Sequence, residues 1–377
     1  MKKILLITNI PTPYRIPLFN ELHQRLQQSS IHLKIIFSVQ NYARRKWQLD
    51  EQDFLFPYDF LNKTKLVNSR ENTRFRYPGL LQKLLEERPE LIIVSGFSAA
   101  TMVSLIYSRI TGIPYVIWSG EIAVRGDRVS WLRSVQRKWL TRAATHFIAY
   151  GSQASNYLQQ LGASPTHISI AINTVDTTFF MEKVGQIQRE IKPSVKKHLL
   201  IVSYITHRKN LTSVLQIIAQ LAQQRSDFIL DIVGDGPDRA GMESMAAENG
   251  LQSCVAFHGY KQQEELPEFY AQASLFLFPT DFDIWGLVLV EAMAAGLPCI
   301  ASMHAGATDD LIIETKTGFS VDFSQAEMVS DLISKLLDNP STAAKIGAQA
   351  KKYVLANASM SNSADGFMEC IHKAMQE

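Results

Sequence analysis

Two carboxylates, Asp283 and Glu291, stand in SLFLFPTDFDIWGLVLVEAMAAGLPCIAS, residues 274–302, with a glycine between them. The apolar run Ser274–Phe278 reads as a buried parallel strand and Pro279 to Asp283 as its exit loop. Gly286 is then the flexible point where a helix begins. The helix, LVLVEAMAA, carries a single polar residue. A helix apolar on every side is a buried one, so the Glu291 carboxylate needs hydrogen-bond donors. Ribose hydroxyls would supply them; a protein arginine or a backbone amide is the alternative. At the same helix start, the N–H groups of Trp285, Gly286, Leu287 and Val288 form an anion site that suits a diphosphate. Together these features suit a sugar nucleotide.

A second set of charges follows another strand, in VSYITHRKNL, residues 202–211. Arg208 and Lys209 read either as a solvated pair before a helix or as phosphate contacts. A lysine beside a phosphate neutralises charge on a departing diphosphate. The segment IVGDGPDRAGME, residues 232–243, supplies a strand, a tight turn and a helix. Turns in α/β proteins need such residues with or without a ligand.

The acidic pair, with Gly286 inside it and EAMAAGLP after it, resembles the signature of retaining GT-B glycosyltransferases of family 4 (glycosyl transferases group 1). The resemblance implies that Asp283 contacts the donor sugar hydroxyls, that Glu291 holds the nucleotide ribose and that Lys209 faces the diphosphate. It implies that the loop Gly259, Tyr260, Lys261 lies against the base; edge packing is the other role open to Tyr260. Two positions depart from the family. Asp283 stands where glutamate is usual, one methylene shorter, and Tyr204 stands where an arginine is usual, with Arg208 as its substitute. No metal or cofactor is implied, a nucleoside diphosphate sugar being the substrate. Front-face displacement, in which the leaving phosphate oxygen helps deprotonate the acceptor, calls for no protein nucleophile.

The elements that must position these residues alternate along the chain. Strands at Ile4–Thr8, Leu33–Phe37, Leu91–Val94 and Tyr115–Trp118, with a helix at Ile16–Gln28, imply βαβ units and a parallel sheet. Residues 176–198 are polar, contain no convincing strand and read as a linker. A second series follows: strands at Leu199–Ser203, Phe228–Val233 and Val255–His258, with helices at Leu211–Gln224 and Gly241–Gly250. The expected fold is α/β: a GT-B arrangement of two Rossmann-like, doubly wound parallel-sheet domains facing a central cleft. The acceptor-binding domain spans 1–180 and the nucleotide-sugar domain 181–360. A C-terminal helix, 361–377, would in a GT-B protein cross back to the first domain. Ligands of such sheets bind beyond the carboxyl ends of the strands.

The first domain offers NIPTPYRIP, residues 9–17, a variant loop within the family that places Tyr14 and Arg15. Arg15 suits an acceptor phosphate or a structural salt bridge. Further strand exits carry Gly96 with Phe97, and Glu121. Glu121 is a catalytic candidate whose other role is to cap a loop. Asn173 and Asp176 resemble the family's domain-junction motif. In residues 124–143, Arg125, Arg128, Arg133, Arg137, Lys138 and Arg142 interleave with Trp131 and Trp139. Such a helix either lies on an anionic membrane surface or is an ordinary helix with a charged outer face.

The length of 377 residues exceeds one ordinary core, and 46% apolar with 20% charged residues is globular. A net charge of +2 gives no argument for nucleic acid. Cys254, Cys299 and Cys370 lack metal-type spacing and suggest reduced thiols in a cytoplasm. MKKILLITNI reads as a first strand rather than a signal peptide, and no run reaches spanning length. The expected protein is therefore cytoplasmic or peripheral on the inner face of the plasma membrane. Its expected activity is transfer of a hexosyl group to a glycan or lipid-linked acceptor in cell-surface polysaccharide biosynthesis. A GT-B epimerase, a phosphorylase and a non-catalytic nucleotide-sugar-binding subunit stay open.

Overall fold

The computed structural model describes residues 2–41, 46–47, 49–62, 75–123, 131–192 and 194–376. Two compact units divide the chain, Met1–Asn173 with Met360–Glu377, and Thr174–Ser359.

The first unit runs β1 (Lys2–Thr8), α1 (Ile16–Gln28), β2 (Ile31–Val39), β3 (Tyr58–Asn62), α2 (Leu80–Glu87), β4 (Leu91–Ser95), α3 (Ala99–Thr111), β5 (Tyr115–Ser119), α4 (Trp131–Ala143), β6 (His146–Ala149), α5 (Ser152–Gln160) and β7 (Ile168–Ile170). Its strands form one parallel sheet in the order β3-β2-β1-β4-β5-β6-β7. Ile4 to Ile7 and Leu91 to Val94 are fully buried, the unbroken apolar runs of strands covered on both faces. The winding reverses between β1 and β4, so the loops leaving these strands diverge there.

The second unit holds α6 (Thr177–Glu190), β8 (Lys197–Val202), α7 (Leu211–Gln224), β9 (Phe228–Val233), α8 (Arg239–Glu248), β10 (Val255–Gly259), α9 (Leu266–Gln272), β11 (Ala273–Phe278), α10 (Leu287–Ala294), β12 (Cys299–Ser302), α11 (Gly306–Leu311), β13 (Gly318–Val321), α12 (Ala326–Asp338) and α13 (Pro340–Asn357). The parallel order is β10-β9-β8-β11-β12-β13, with the reversal between β8 and β11. The last helix, α14 (Met360–Ala374), belongs to the first unit, where it packs on α1, β6 and β7. Gly366 makes that packing close: a Cβ there would lie 2.2 Å from the Ile170 carbonyl oxygen.

Two expectations are corrected. The units divide at Asn173/Thr174 rather than at 180/181, and most of residues 176–198 form α6 instead of a linker. The polar composition belongs to one face of an amphipathic helix, which buries Phe180 and Val184 on the other and packs on α9 and α10. Asp176 caps it, accepting the Phe179 N–H at 3.0 Å.

Candidate functional site

Both reversal points gather polar residues. In the second unit, β8 leads into a single 3-10 turn, His207–Lys209, and Asn210, at φ 53°, starts α7. This turn aims Arg208 and Lys209 the same way. The Lys209 ammonium meets Asp283 Oδ2 at 2.5 Å, and Arg208 Nη1 lies 3.7 Å from the same oxygen while donating to the Phe282 carbonyl at 2.6 Å. Of the Arg208–Lys209 pair, Lys209 is largely buried, its side chain 13% exposed against 35% for Arg208, so the lysine is not part of a solvated face. Burial would raise the Asp283 carboxyl, but Lys209 foremost, with Arg208 and the Trp285 N–H, outweighs it and holds the acid below its ordinary range.

Of the four N–H groups expected at the start of α10, that of Trp285 is taken, donating to Asp283 Oδ1 at 3.4 Å. An aspartate readily accepts from the amide two residues on. Gly286 follows at φ 116°, and a Cβ there would come within 2.3 Å of the Phe278 ring. Leu287 and Val288 open the helix with partly exposed surfaces. Glu291 is half-buried one turn further on and accepts from Tyr270 at 2.7 Å through Oε2. Burial pushes its carboxyl up to about 7, against the lowering effect of the Tyr270 bond. Among the described residues Oε1 has no hydrogen-bond partner. Trp285 is 2% exposed, and its indole N–H likewise has none.

Several supporting residues carry no chemical signature in sequence. Thr280 donates to the Arg208 and Phe282 carbonyls at 3.1 and 2.9 Å, tying the two loops together. Gly306 donates to the Asp283 carbonyl at 2.9 Å, and a Cβ there would sit 2.3 Å from the Ile284 oxygen. Gly234 and Gly236, the generic turn of the sequence, prove to be position-specific: Cβ atoms would lie 1.7 Å from the Ser203 oxygen and 2.0 Å from that of Ile205. They let this turn press against the loop that leads to Lys209.

Gly259 ends β10 and Tyr260 and Lys261 follow it, outside the Lys209–Asp283 cluster. The Gly259 carbonyl accepts from Gly234 at 2.8 Å, Tyr260 donates to Gln262 at 3.2 Å, and Lys261 pairs with Glu265 at 3.1 Å.

In the first unit Arg15 is the N-cap residue of α1, beside the end of β1. Its Nη1 donates to Thr8 Oγ1 at 3.1 Å and its Nη2 to the Tyr150 hydroxyl. The guanidinium lies over the Trp118 ring, 4.4 Å from the centroid, and 5.6 Å from that of Tyr14. Gly120 makes room, since a Cβ there would lie 2.2 Å from the Tyr150 ring. Gly96 turns at φ 68°, donating to the Trp118 carbonyl at 2.8 Å. Glu121 pairs with Arg137 at 3.1 Å; Arg137 also donates to Tyr157 at 2.7 Å and lies 5.5 Å from the Phe97 ring centroid. Glu121 and Phe97 thus meet through a residue of the basic stretch. Arg125 and Arg128 lie outside the described residues.

Among the described residues no helix is long and apolar enough to cross a membrane, and no three His, Cys, Asp or Glu residues group as metal ligands.

The two parallel sheets define the class. The solved structure of Anabaena Alr3699/HepE in complex with UDP matches with a TM-score of 0.76 at 16% identity, over 99% of this chain and 100% of that one. The chain has the GT-B fold of two Rossmann-like domains. Residues 185–353 match the family model of glycosyl transferases group 1, and the second unit, which contains them, belongs to that family. The chain is 26% identical over 255 residues to the 2-deoxystreptamine glucosyltransferase of Streptomyces kanamyceticus, covering 64% of this chain and 66% of the relative. It is 31% identical over 144 residues to the amylovoran biosynthesis glycosyltransferase AmsK of Erwinia amylovora, covering 37% and 35%. These matches span less than two thirds of the relatives' length.

Proposed function

We propose that the protein is a retaining glycosyltransferase of the family 4 type, moving a hexosyl group from a nucleoside diphosphate sugar to a glycan or lipid-linked acceptor. The observation that carries this reading is the convergence of Lys209 and Arg208 on Asp283, beside the amide end of the helix that bears Glu291. The donor diphosphate takes the Leu287 and Val288 amides and the Lys209 charge, and Glu291 Oε1 receives the ribose hydroxyls. Asp283, held ionised, accepts a hydroxyl of the sugar. Lys209 stabilises the growing negative charge of the leaving diphosphate, whose oxygen takes the acceptor proton on the same face, so that the anomeric configuration is kept. No divalent ion is needed for that charge.

The acceptor is assigned to the first unit, at Tyr14, Arg15, Gly96, Phe97 and Glu121. A role in polysaccharide synthesis at the cell surface is our reading; the name of AmsK, an amylovoran biosynthesis glycosyltransferase, supports the biosynthetic part, and the UDP in Alr3699/HepE supports a uridine nucleotide. Membrane contact is assigned to α4. Trp131, Leu132, Val135 and Trp139 are 74, 69, 45 and 51% exposed. At the helical period they form one stripe about 100° wide, with the exposed Lys138 at its edge and Arg142 on the same face one turn past Trp139. The protein then works from the cytoplasmic face.

The test is a panel of nucleoside diphosphate sugars screened by thermal shift, followed by NMR of the product formed with the donor that binds. The expected product keeps the donor's anomeric configuration. Inversion would remove the retaining mechanism, and the absence of binding by every donor would remove the transferase reading.

A further inference from the structure

We infer that Arg15 is the anchor of an oxyanion site in the first unit, and that the acceptor therefore carries a carboxylate or phosphate group. The inference rests on the reading of that unit as the acceptor half. Arg15 is half-buried, and among the described residues no carboxylate lies within ion-pair distance of it. Its contacts are a threonine hydroxyl, a phenol and two ring faces, which orient a guanidinium without neutralising it. Its Nε–H is buried and has no hydrogen-bond partner. Burial opposes the charge, but the Arg15 guanidinium is held above its ordinary range, beside the tyrosine hydroxyls, and stays a cation at neutral pH. The phenols do not balance it at neutral pH: burial pushes the Tyr150 hydroxyl up, and Tyr77 up to about 12.

The backbone adds to the imbalance. Arg15 sits at the amide end of α1, where a cation opposes the helix dipole, and no acidic residue occupies the first turn. Tyr77, which feels the Arg15 charge, donates its hydroxyl to Asn9 Oδ1 at 2.5 Å, so it too brings no carboxylate to Arg15. A structural arginine is ordinarily buried with its anion. Here the fork is fixed by Thr8 and Tyr150, Gly120 makes room for the Tyr150 ring, and an N–H remains to donate. That geometry suits charge-assisted recognition of an oxyanion.

The test titrates the full chain, saturated with UDP, with glucuronic acid, glycerol 3-phosphate and the neutral methyl glucoside, followed by tryptophan fluorescence. One of the two anions is expected to bind in preference to the glucoside, and the stronger one identifies carboxylate or phosphate. Arg15→Gln should weaken that anion roughly 10- to 100-fold, as expected for a charge-assisted hydrogen bond. Arg15→Lys should recover only part of the loss, because it keeps the charge without the fork. UDP affinity should stay unchanged in both variants, which also verifies that they fold. Equal binding of all three probes, or unchanged anion binding in Arg15→Gln, would overturn the proposal. Weaker UDP binding in a folded Arg15→Gln would assign Arg15 to the donor and overturn it as well. Loss of anion binding in Arg15→Gln, in a protein that binds no nucleotide, would sustain the oxyanion site while removing the proposed transferase function.

Discussion

Lys209 in the second unit and Arg15 in the first occupy corresponding places, each in the loop that leaves a strand at the reversal point of its sheet. Their partners differ. Lys209 meets a carboxylate at 2.5 Å, whereas Arg15 meets hydroxyls and ring faces. A closed ion pair can be loosened by a second anion, so the site around Lys209 can share its charge between Asp283 and a diphosphate as the reaction proceeds. An unbalanced cation has no such internal alternative; its charge is directed outward to whatever binds. Under the proposed function, the first cation would serve chemistry and the second recognition.

Removing the amine should give the largest effect. Lys209→Ala is expected to lower kcat about 100- to 1,000-fold, comparable to losing one preorganised donor to a developing oxyanion, and to change donor Kd less. It also breaks the closer of the two ion pairs of the largely buried Asp283, leaving Arg208 at 3.7 Å, and one-sided loss of a buried pair costs ~3 kcal/mol. Lys209→Ala with Asp283→Asn should restore Tm without restoring turnover. A single variant with normal kcat would place Lys209 outside the reaction, and a double variant that regains activity would make the pair merely structural.

An intermediate effect is expected at Glu291, and its sign depends on pH. The carboxyl titrates at about 7 in the folded protein against an ordinary value of 4.5. A raised acid favours the folded state while protonated in both states, below about pH 4.5; that contribution is lost as pH rises through about 7. Glu291→Gln should therefore gain stability relative to the native protein between those values, on the order of 2–3 kcal/mol above pH 7. Donor binding has the opposite sign, because ribose hydroxyls need the ionised acceptor. Native donor affinity should rise through pH 7 more steeply than that of Glu291→Gln, and the variant should bind about 10- to 100-fold more weakly at pH 8. Calorimetry at pH 6 and 8 with both proteins measures the difference. Parallel pH curves would detach Glu291 from the ribose.

Legibility followed how far apart the parts of a site lie in sequence. Asp283, Gly286 and Glu291 share one strand, loop and helix, so their spacing alone places them. Tyr270 escaped because a tyrosine in the apolar helix α9 reads as core, and only its hydroxyl, 2.7 Å from Glu291, reveals the second role. Gly234 and Gly236 read as an ordinary turn because a glycine does not announce which carbonyl it must approach. In the first unit, Arg15 draws its partners from the ends of β1, β5 and β6. No local spacing joins Thr8, Trp118 and Tyr150; only the sheet order does. Nor does a run of basic residues say which of them turn inward, as Arg137 does toward Glu121.

That inward turn leads to the smallest expected effect, on α4. With Arg137 engaged by Glu121 and Tyr157, the outward charges near the exposed Trp131 and Trp139 are Arg133, Lys138 and Arg142. If this face meets a membrane, the apolar stripe enters the headgroup region while the basic residues attract anionic lipid. The second contribution alone depends on salt, because screening shortens the reach of exposed charges to about 10 Å at 0.1 M and about 3 Å at 1 M. Sedimentation with anionic and neutral vesicles, at low and high salt, separates the two. The native chain should bind anionic vesicles at low salt and lose most of that binding at 1 M. Trp131→Ser with Trp139→Ser should reduce binding severalfold at low salt while leaving turnover on a soluble acceptor unchanged. Equal recovery of the native chain in the supernatant under all four conditions would return α4 to a plain surface helix and would make a soluble glycan the better acceptor, leaving the contrast between Lys209 and Arg15 intact.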